Sequence, residues 1–166
     1  ENHFFSRNYA FGKALDCFTF NGGFALNMAK VCESVLALDI SSDAINLAKR
    51  NAELNEISNV KFQTANVFDK LHELEKNCFK FDTIVLDPPA FAKSIKSKHT
   101  ATQAYKRLNI AGLKALAPKG ILFTFSCSQV IDDVLFYNTV AAAAIETGRN
   151  IRVLHKLQQG PDHPTN

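Results

Sequence analysis

Five short apolar runs punctuate the chain, with amphipathic stretches between them. Residues 14–18, 34–40, 60–65, 81–87 and 120–127 read as strands. Several are nearly continuous, as in Ile84-Val85-Leu86, the pattern of strands buried on both faces of a parallel sheet. Residues 151–157 alternate less cleanly and are a candidate sixth strand. Between the runs, apolar positions recur at helical spacing. Residues 23–33 carry Phe24, Met28, Val31 and Cys32, and residues 43–55 carry Ile45, Leu47, Ala48, Ala52 and Leu54 behind Ser41 or Ser42 as N-cap. A short helix is expected over 67–76. Another is expected over 102–116, with Tyr105, Leu108, Leu113 and Leu116, stopped by Pro118-Lys119-Gly120. A last one over 130–147 closes at Gly148, a C-terminal cap, and the first ten residues suit one further helix. The alternation predicts an α/β doubly wound fold, a mostly parallel sheet with helices on both faces. Ligands of such folds bind beyond the carboxyl ends of the strands, near the switch point in strand order.

Composition narrows this little. The 166 residues are 46% hydrophobic and 21% charged, which suits one folded domain and excludes wholesale disorder. No apolar run approaches the ~20 residues of a bilayer span, so no membrane partner is expected. The net charge of +3 is by itself a weak sign of nucleic acid. Cysteines stand at 17, 32, 78 and 127 with no CxxC pair, which disfavours a zinc site or a disulfide scaffold and suits a reducing cytoplasm. Cys17, Cys32 and Cys78 read as small buried hydrophobes. His3, His72, His99 and His155 show no metal-ligand spacing.

The chemistry gathers at the strand ends. After the first strand, Asp16 precedes a turn ending in Gly22-Gly23, and glycines there let helix N–H groups approach a ligand. The spacing is not GxGxxG, so the dinucleotide fingerprint is not met. Asp39 ends the second strand, where a carboxylate accepts ribose hydroxyls or, alternatively, serves the next helix. Asn66 after the third strand reads equally as an adenine contact or a helix cap. Asp87-Pro88-Pro89-Ala90-Phe91 ends the fourth strand abruptly, because proline cannot continue a ladder. Ser126-Cys127-Ser128 ends the fifth. Cys127 is a nucleophile or a core residue; a helix starting soon after it would lower its thiol pKa. Between Lys93 and Arg107 lie Lys96, Lys98 and Lys106 and no acid, which suits RNA phosphates or a solvated helix face. Phe91 suits stacking on a base, although a packed side chain is the commoner role.

Taken in order, several motifs resemble class I S-adenosylmethionine-dependent methyltransferases, and within them the RlmI-like family that methylates carbon 5 of a cytosine in large-subunit ribosomal RNA. They are Asp16-Cys17-Phe18-Thr19-Phe20-Asn21-Gly22-Gly23-Phe24, Asn51-Ala52-Glu53-Leu54-Asn55 and Asp87-Pro88-Pro89-Ala90-Phe91-Ala92-Lys93. Tyr105-Lys106-Arg107-Leu108-Asn109, Ser126-Cys127-Ser128 and Asp162-His163-Pro164 follow. The resemblance implies that Asp16, Asn21, Gly22 and Gly23 hold the methionine part of S-adenosylmethionine, that Asp39 takes the ribose, and that Asn66 meets the adenine. Phe18, Ile40 and Val67 would wall the cofactor, and Asp87 would border it. The family usually has Asp where Asn66 stands, and Asn keeps one carbonyl acceptor. Cys127 would be the nucleophile and Asp87 the acid, with Pro88, Pro89, Phe91, Lys93 and Tyr105 on the substrate side. S-adenosylhomocysteine would be the product and ribosomal RNA the partner.

The family also carries an N-terminal RNA-binding domain and a final strand, so residues 1–166 are expected to be a catalytic-domain fragment. Glu1-Asn2 resembles the tail of the family's Gln-Arg-Glu-Asn stretch. An exposed edge at the sixth strand would favour a homodimer or looser association. The rivals are an amino-group or guanine methyltransferase using the Asp-Pro-Pro turn, a nicotinamide-dependent oxidoreductase, and a non-catalytic RNA-binding remnant.

Overall fold

The computed structural model describes residues 2–92 and 94–157. Lys93, Glu1 and the Asp162-His163-Pro164 motif lie outside the described residues. A short helix α1 (Asn2–Phe5) and a 3-10 turn (Ser6–Asn8) lead into β1 (Lys13–Cys17) and α2 (Gly23–Met28). Then follow β2 (Ser34–Asp39), α3 (Ser42–Leu54), β3 (Val60–Thr64), α4 (Val67–Lys76) and β4 (Phe81–Leu86). A 3-10 turn (Ile95–Ser97) precedes α5 (Lys98–Ala115), β5 (Leu116–Thr124) and α6 (Asp133–Glu146).

The five strands form one sheet in the order β3-β2-β1-β4-β5, and every pairing is parallel. The chain winds outward from β1 through β2 to β3, then returns to β4 on the other side of β1. The switch point therefore lies between β1 and β4, where Asp16 pairs with Val85 and Cys17 with Leu86. In such sheets the crevice at the switch point is the ligand site.

The continuous apolar runs find their reason in burial on both faces. Ile84 and Leu86 join a core with Leu15, Leu38, Leu71, Leu108 and Leu113. Val85 between them points the opposite way, into a core with Ala14, Phe24, Met28, Val35 and Phe123. Alternation of side chains along a strand thus fills two cores rather than one core and solvent. Ser41 caps α3, its hydroxyl accepting from Ala44 N–H at 3.2 Å. Gly148 ends α6 at φ +65°, with Gly148 N–H donating to Ile145 O and Arg149 N–H to Ala144 O, the paired bonds of a Schellman cap.

Several expectations are corrected. Pro118-Lys119-Gly120 does not stop the fifth helix. α5 ends at Ala115, and β5 begins at Leu116 and runs through all three residues. Among the described strands β5 has β4 as its one neighbour, so an edge position tolerates Pro118. Lys119 takes φ +64° where the β4–β5 register shifts. Residues 151–157 are not a strand. Cys78 is exposed rather than core, in a turn at φ +54°. No helix among the described residues is long and apolar enough to cross a membrane.

Candidate active site

Asp16 is the most constrained ionisable group in the protein's switch-point crevice. It is 1% exposed at the end of β1. Its Oδ2 accepts the Thr19 hydroxyl at 2.6 Å and the Ala25 N–H at 2.9 Å. Its Oδ1 is buried with no partner among the described residues. Burial pushes the carboxyl up to about 7; the two hydrogen bonds oppose this, and the charges of Asp87 and Asp39 add to it. A buried carboxylate with one unsatisfied oxygen is costly unless a cation meets it. An amino-acid ammonium supplies such a cation, so this residue fits the methionine end of S-adenosylmethionine.

The loop that follows is held in unusual conformations. Phe18, Phe20 and Gly22 have φ of 66°, 48° and 88°. Left-handed backbone at two phenylalanines is strained and persists only where neighbours enforce it. Thr19 N–H donates to Leu38 O at 2.8 Å, Phe20 N–H to Asp39 Oδ2 at 2.9 Å, and Asn51 Nδ2 to Asn21 O at 2.9 Å. A Cβ on Gly23 would lie 2.6 Å from the exposed His3 ring, which would have to swing aside. Thr19 and Asn51 are thus working residues whose roles the sequence left unassigned. Only their recurrence within the quoted motifs pointed to them. A cavity of about 250 Å³ lined by Arg7, Asn21, Gly22, Lys30 and Asn51 lies on the α2–α3 side of this loop, apart from the strand ends.

Asp39 braces both the loop after β1 and the entry to α3. Its oxygens accept Phe20 N–H and Ser41 N–H, each at 2.9 Å, and each oxygen keeps a further lone pair for a ribose hydroxyl. Ile40 beside it is 71% exposed and free to face a ligand. Asn66 is a helix cap, its Oδ1 accepting from Phe68 N–H at 2.9 Å and Asp69 N–H at 3.3 Å. Val67 is buried in the core, and Phe18 packs partly against it. Neither is a free wall.

On the other side of the switch point, half-buried Asp87 follows β4, Pro88 is buried and Pro89 exposed. Cys127, beyond the end of β5, is exposed. Its thiol is raised above the ordinary value, first by partial burial and then by the Asp87 carboxylate. The expected lowering by a helix terminus does not occur. α6 begins only at Asp133, and its N-cap Asp132 fills that end by accepting from Leu135 N–H at 2.8 Å. The Asp87 carboxylate that follows β4 contributes to the rise of the Cys127 thiol, so the two groups lie within electrostatic reach of one another.

Tyr105 does not face substrate. It is fully buried, because α5 turns this position inward between the rings of Phe91 and Phe136. Phe91, half-buried with its ring centroid 4.7 Å from that of Tyr105, is likewise a packing residue. In the basic stretch, Lys98 pairs with Asp132 at 3.5 Å and Lys106 with Glu146 at 2.6 Å. Lys96 and Arg107 are exposed and form no ion pair with the described residues.

Comparison with known proteins agrees with this geometry. A model of the methyltransferase domain matches residues 11–160. Ribosomal RNA large subunit methyltransferase I of Aeromonas salmonicida is 41% identical over 155 residues, covering 92% of this chain and 39% of that protein. The enzyme of the same name from Vibrio vulnificus is 39% identical over 158 residues, covering 92% and 40%. The chain thus spans about 40% of the length of these relatives. Among solved structures, SMU.776, assigned as a methyltransferase and complexed with SAH, superposes with a TM-score of 0.75 at 21% identity, covering 93% of this chain and 40% of that one. The strand order and the family match converge: this chain belongs to the class I S-adenosylmethionine-dependent methyltransferases.

Proposed function

We propose that the chain methylates carbon 5 of a cytosine in ribosomal RNA through a covalent Cys127 adduct. The observation that carries this is an exposed thiol beyond the end of β5, within the electrostatic influence of the carboxyl that follows β4. The names of the 39–41% identical relatives support the RNA class, and the chain's 40% share of their length makes RNA selection part of the proposal.

Carbon 5 of cytosine is a poor nucleophile. Addition of the Cys127 thiolate to carbon 6 makes carbon 5 enamine-like. Asp87, as the acid, protonates ring nitrogen 3 and takes up the charge that addition places there. S-adenosylmethionine, when bound, supplies the electrophilic methyl group that carbon 5 receives. Loss of the carbon 5 proton to a base and expulsion of Cys127 restore the aromatic ring and the free thiol. Asp16 would hold the ammonium end, Asp39 the ribose, and the Gly22-Gly23 turn would let the backbone approach.

The Asp87 carboxylate raises the Cys127 thiol, which bears on how the proton is shared between them. Two adjacent anions are unfavourable, so the pair favours one proton, as a carboxylic acid beside a thiolate or a thiol beside a carboxylate. Digestion of methylated RNA to nucleosides tests the reading. It requires 5-methylcytidine as the product and its loss in Cys127→Ala. An N-methylated base from a Cys127→Ala chain would favour the amino-group chemistry instead.

A further inference from the structure

Two hydroxyls that solvent does not reach tie together the loops bearing the reacting groups. Ser128 follows Cys127 directly and is 3% exposed; Tyr105 on α5 is 0% exposed. Their hydroxyls lie 2.9 Å apart. The same Ser128 Oγ accepts the Ala92 N–H at 3.2 Å, and Ala92 belongs to the loop that begins at Asp87. One oxygen therefore joins the β5–α6 loop, the β4–α5 loop and helix α5.

The surroundings make this junction stiff. Ala92, Ala101, Tyr105 and Ile131 form an apolar cluster of their own, with Phe91, Val130, Leu135 and Phe136 packed on it. Its members come from both loops and from α5 and α6. The Tyr105 ring is held by Phe91 at 4.7 Å and by Phe136 edge-on at 5.5 Å between centroids. Hydroxyls sealed in an apolar shell must satisfy one another, because an orphaned one bears its full desolvation cost. A phenylalanine and an alanine would pack such a cluster without that risk. The Ser128 hydroxyl therefore adds geometry that apolar packing lacks: its bond to the Ala92 N–H fixes the distance between the two loops, and its bond to the Tyr105 hydroxyl anchors it to α5.

We propose that the Tyr105–Ser128 hydroxyl pair is a positioning latch that sets the spacing of the two loops, so that Cys127 and Asp87 address the same base. Its catalytic consequence rests on the covalent reading above; its structural part stands on the geometry alone.

Residue-resolved alkylation tests it. Wild type, Tyr105→Phe, Ser128→Ala and the double variant are treated with iodoacetamide across the thiol titration range, and each cysteine is followed by mass spectrometry. Cys78, exposed and remote in sequence, is the reference thiol, and buried Cys17 and Cys32 report loosening of the fold. The latch predicts that the Cys127 pH profile moves toward that of an ordinary thiol while Cys78 stays fixed and Cys17 and Cys32 stay protected. The double variant should move no further than the larger single one, as for two ends of one bond. Methyl transfer should lose about tenfold in kcat, the order of one buried hydrogen bond, at unchanged affinity for S-adenosylhomocysteine. An unmoved Cys127 profile overturns the proposal, as does labelling of Cys17 and Cys32 in both single variants. If Cys127→Ala still methylates RNA, the covalent reading falls, and the alkylation arm still decides the latch.

Discussion

Asp16 concentrates the electrostatics of the site in one side chain. Its folded value of about 7 against an ordinary 3.8 means that the folded state binds more protons than the unfolded one across that window. Stability of the ligand-free protein therefore falls as pH rises from about 4 to about 7, by a few kcal/mol, and levels off above. Urea titrations of Asp16→Asn should show this fall removed. Cofactor binding has the opposite slope, because an ammonium requires the ionised carboxylate. Calorimetry with S-adenosylhomocysteine should show affinity weakening below about pH 7, by up to roughly tenfold per unit, and no such dependence in Asp16→Asn. Asp87 offers a second test at this scale. Asp87→Asn removes one of the two causes that raise the Cys127 thiol, so the midpoint of its alkylation profile should move down while partial burial keeps it above the ordinary value. The placement of Asp16, Asp39 and Asp87 at strand ends was legible in the sequence because each ends or directly follows an apolar run, whereas Cys127 lies three residues past the end of β5. Tyr105 already stood among the apolar positions of the helical pattern, and its burial follows that phase rather than the substrate side that the resemblance implied. Thr19, Asn51 and Ser128 went unassigned because their partners, the Asp16 carboxylate, the Asn21 carbonyl and the Tyr105 hydroxyl with the Ala92 N–H, come near only on folding.

Elements whose local chemistry is complete matched their reading closely. α4 spans Val67–Lys76 as expected, with Asn66 as its cap. α6 closes at Gly148, whose φ of +65° has open space where a Cβ would go. Gly148→Ala should therefore cost about 1 kcal/mol in urea denaturation, a purely conformational penalty. The expected stop at Pro118 failed for a reason outside the segment. Proline ends a helix or a central strand, and only the sheet order reveals that β5 is an edge strand where its missing donor is tolerated. α3 has a role beyond packing. Its Asn51 holds the Asn21 carbonyl of the strained loop at 2.9 Å. Asn51→Ala should weaken S-adenosylhomocysteine about fivefold, the value of one partly exposed hydrogen bond, as read by calorimetry.

At the scale of the molecule, one topological fact organises the site: β1 lies between β2 and β4, and the chain reverses direction of winding there. That reversal places Asp16 and Asp39 at the ends of β1 and β2 and Asp87 and Cys127 beyond β4 and β5, across the switch point at the sheet's carboxyl edge. The open side of β5 is moderated by the chain itself. The Arg149 guanidinium donates to the carbonyls of Leu116 at 2.7 Å and Ala117 at 2.8 Å, and Pro118 follows. Among the described strands the open edge is that of β5, and residues 151–157 add no sixth strand to it. The central claim is that Cys127 forms the bond to carbon 6, and a 5-fluorocytosine-substituted ribosomal RNA tests it most directly, because fluorine blocks the final release. After incubation with S-adenosylmethionine, mass spectrometry should find the nucleotide on the peptide containing Cys127 and no adduct in Cys127→Ala. An adduct that persists in Cys127→Ala, or methylated product with no adduct at Cys127, would contradict the account.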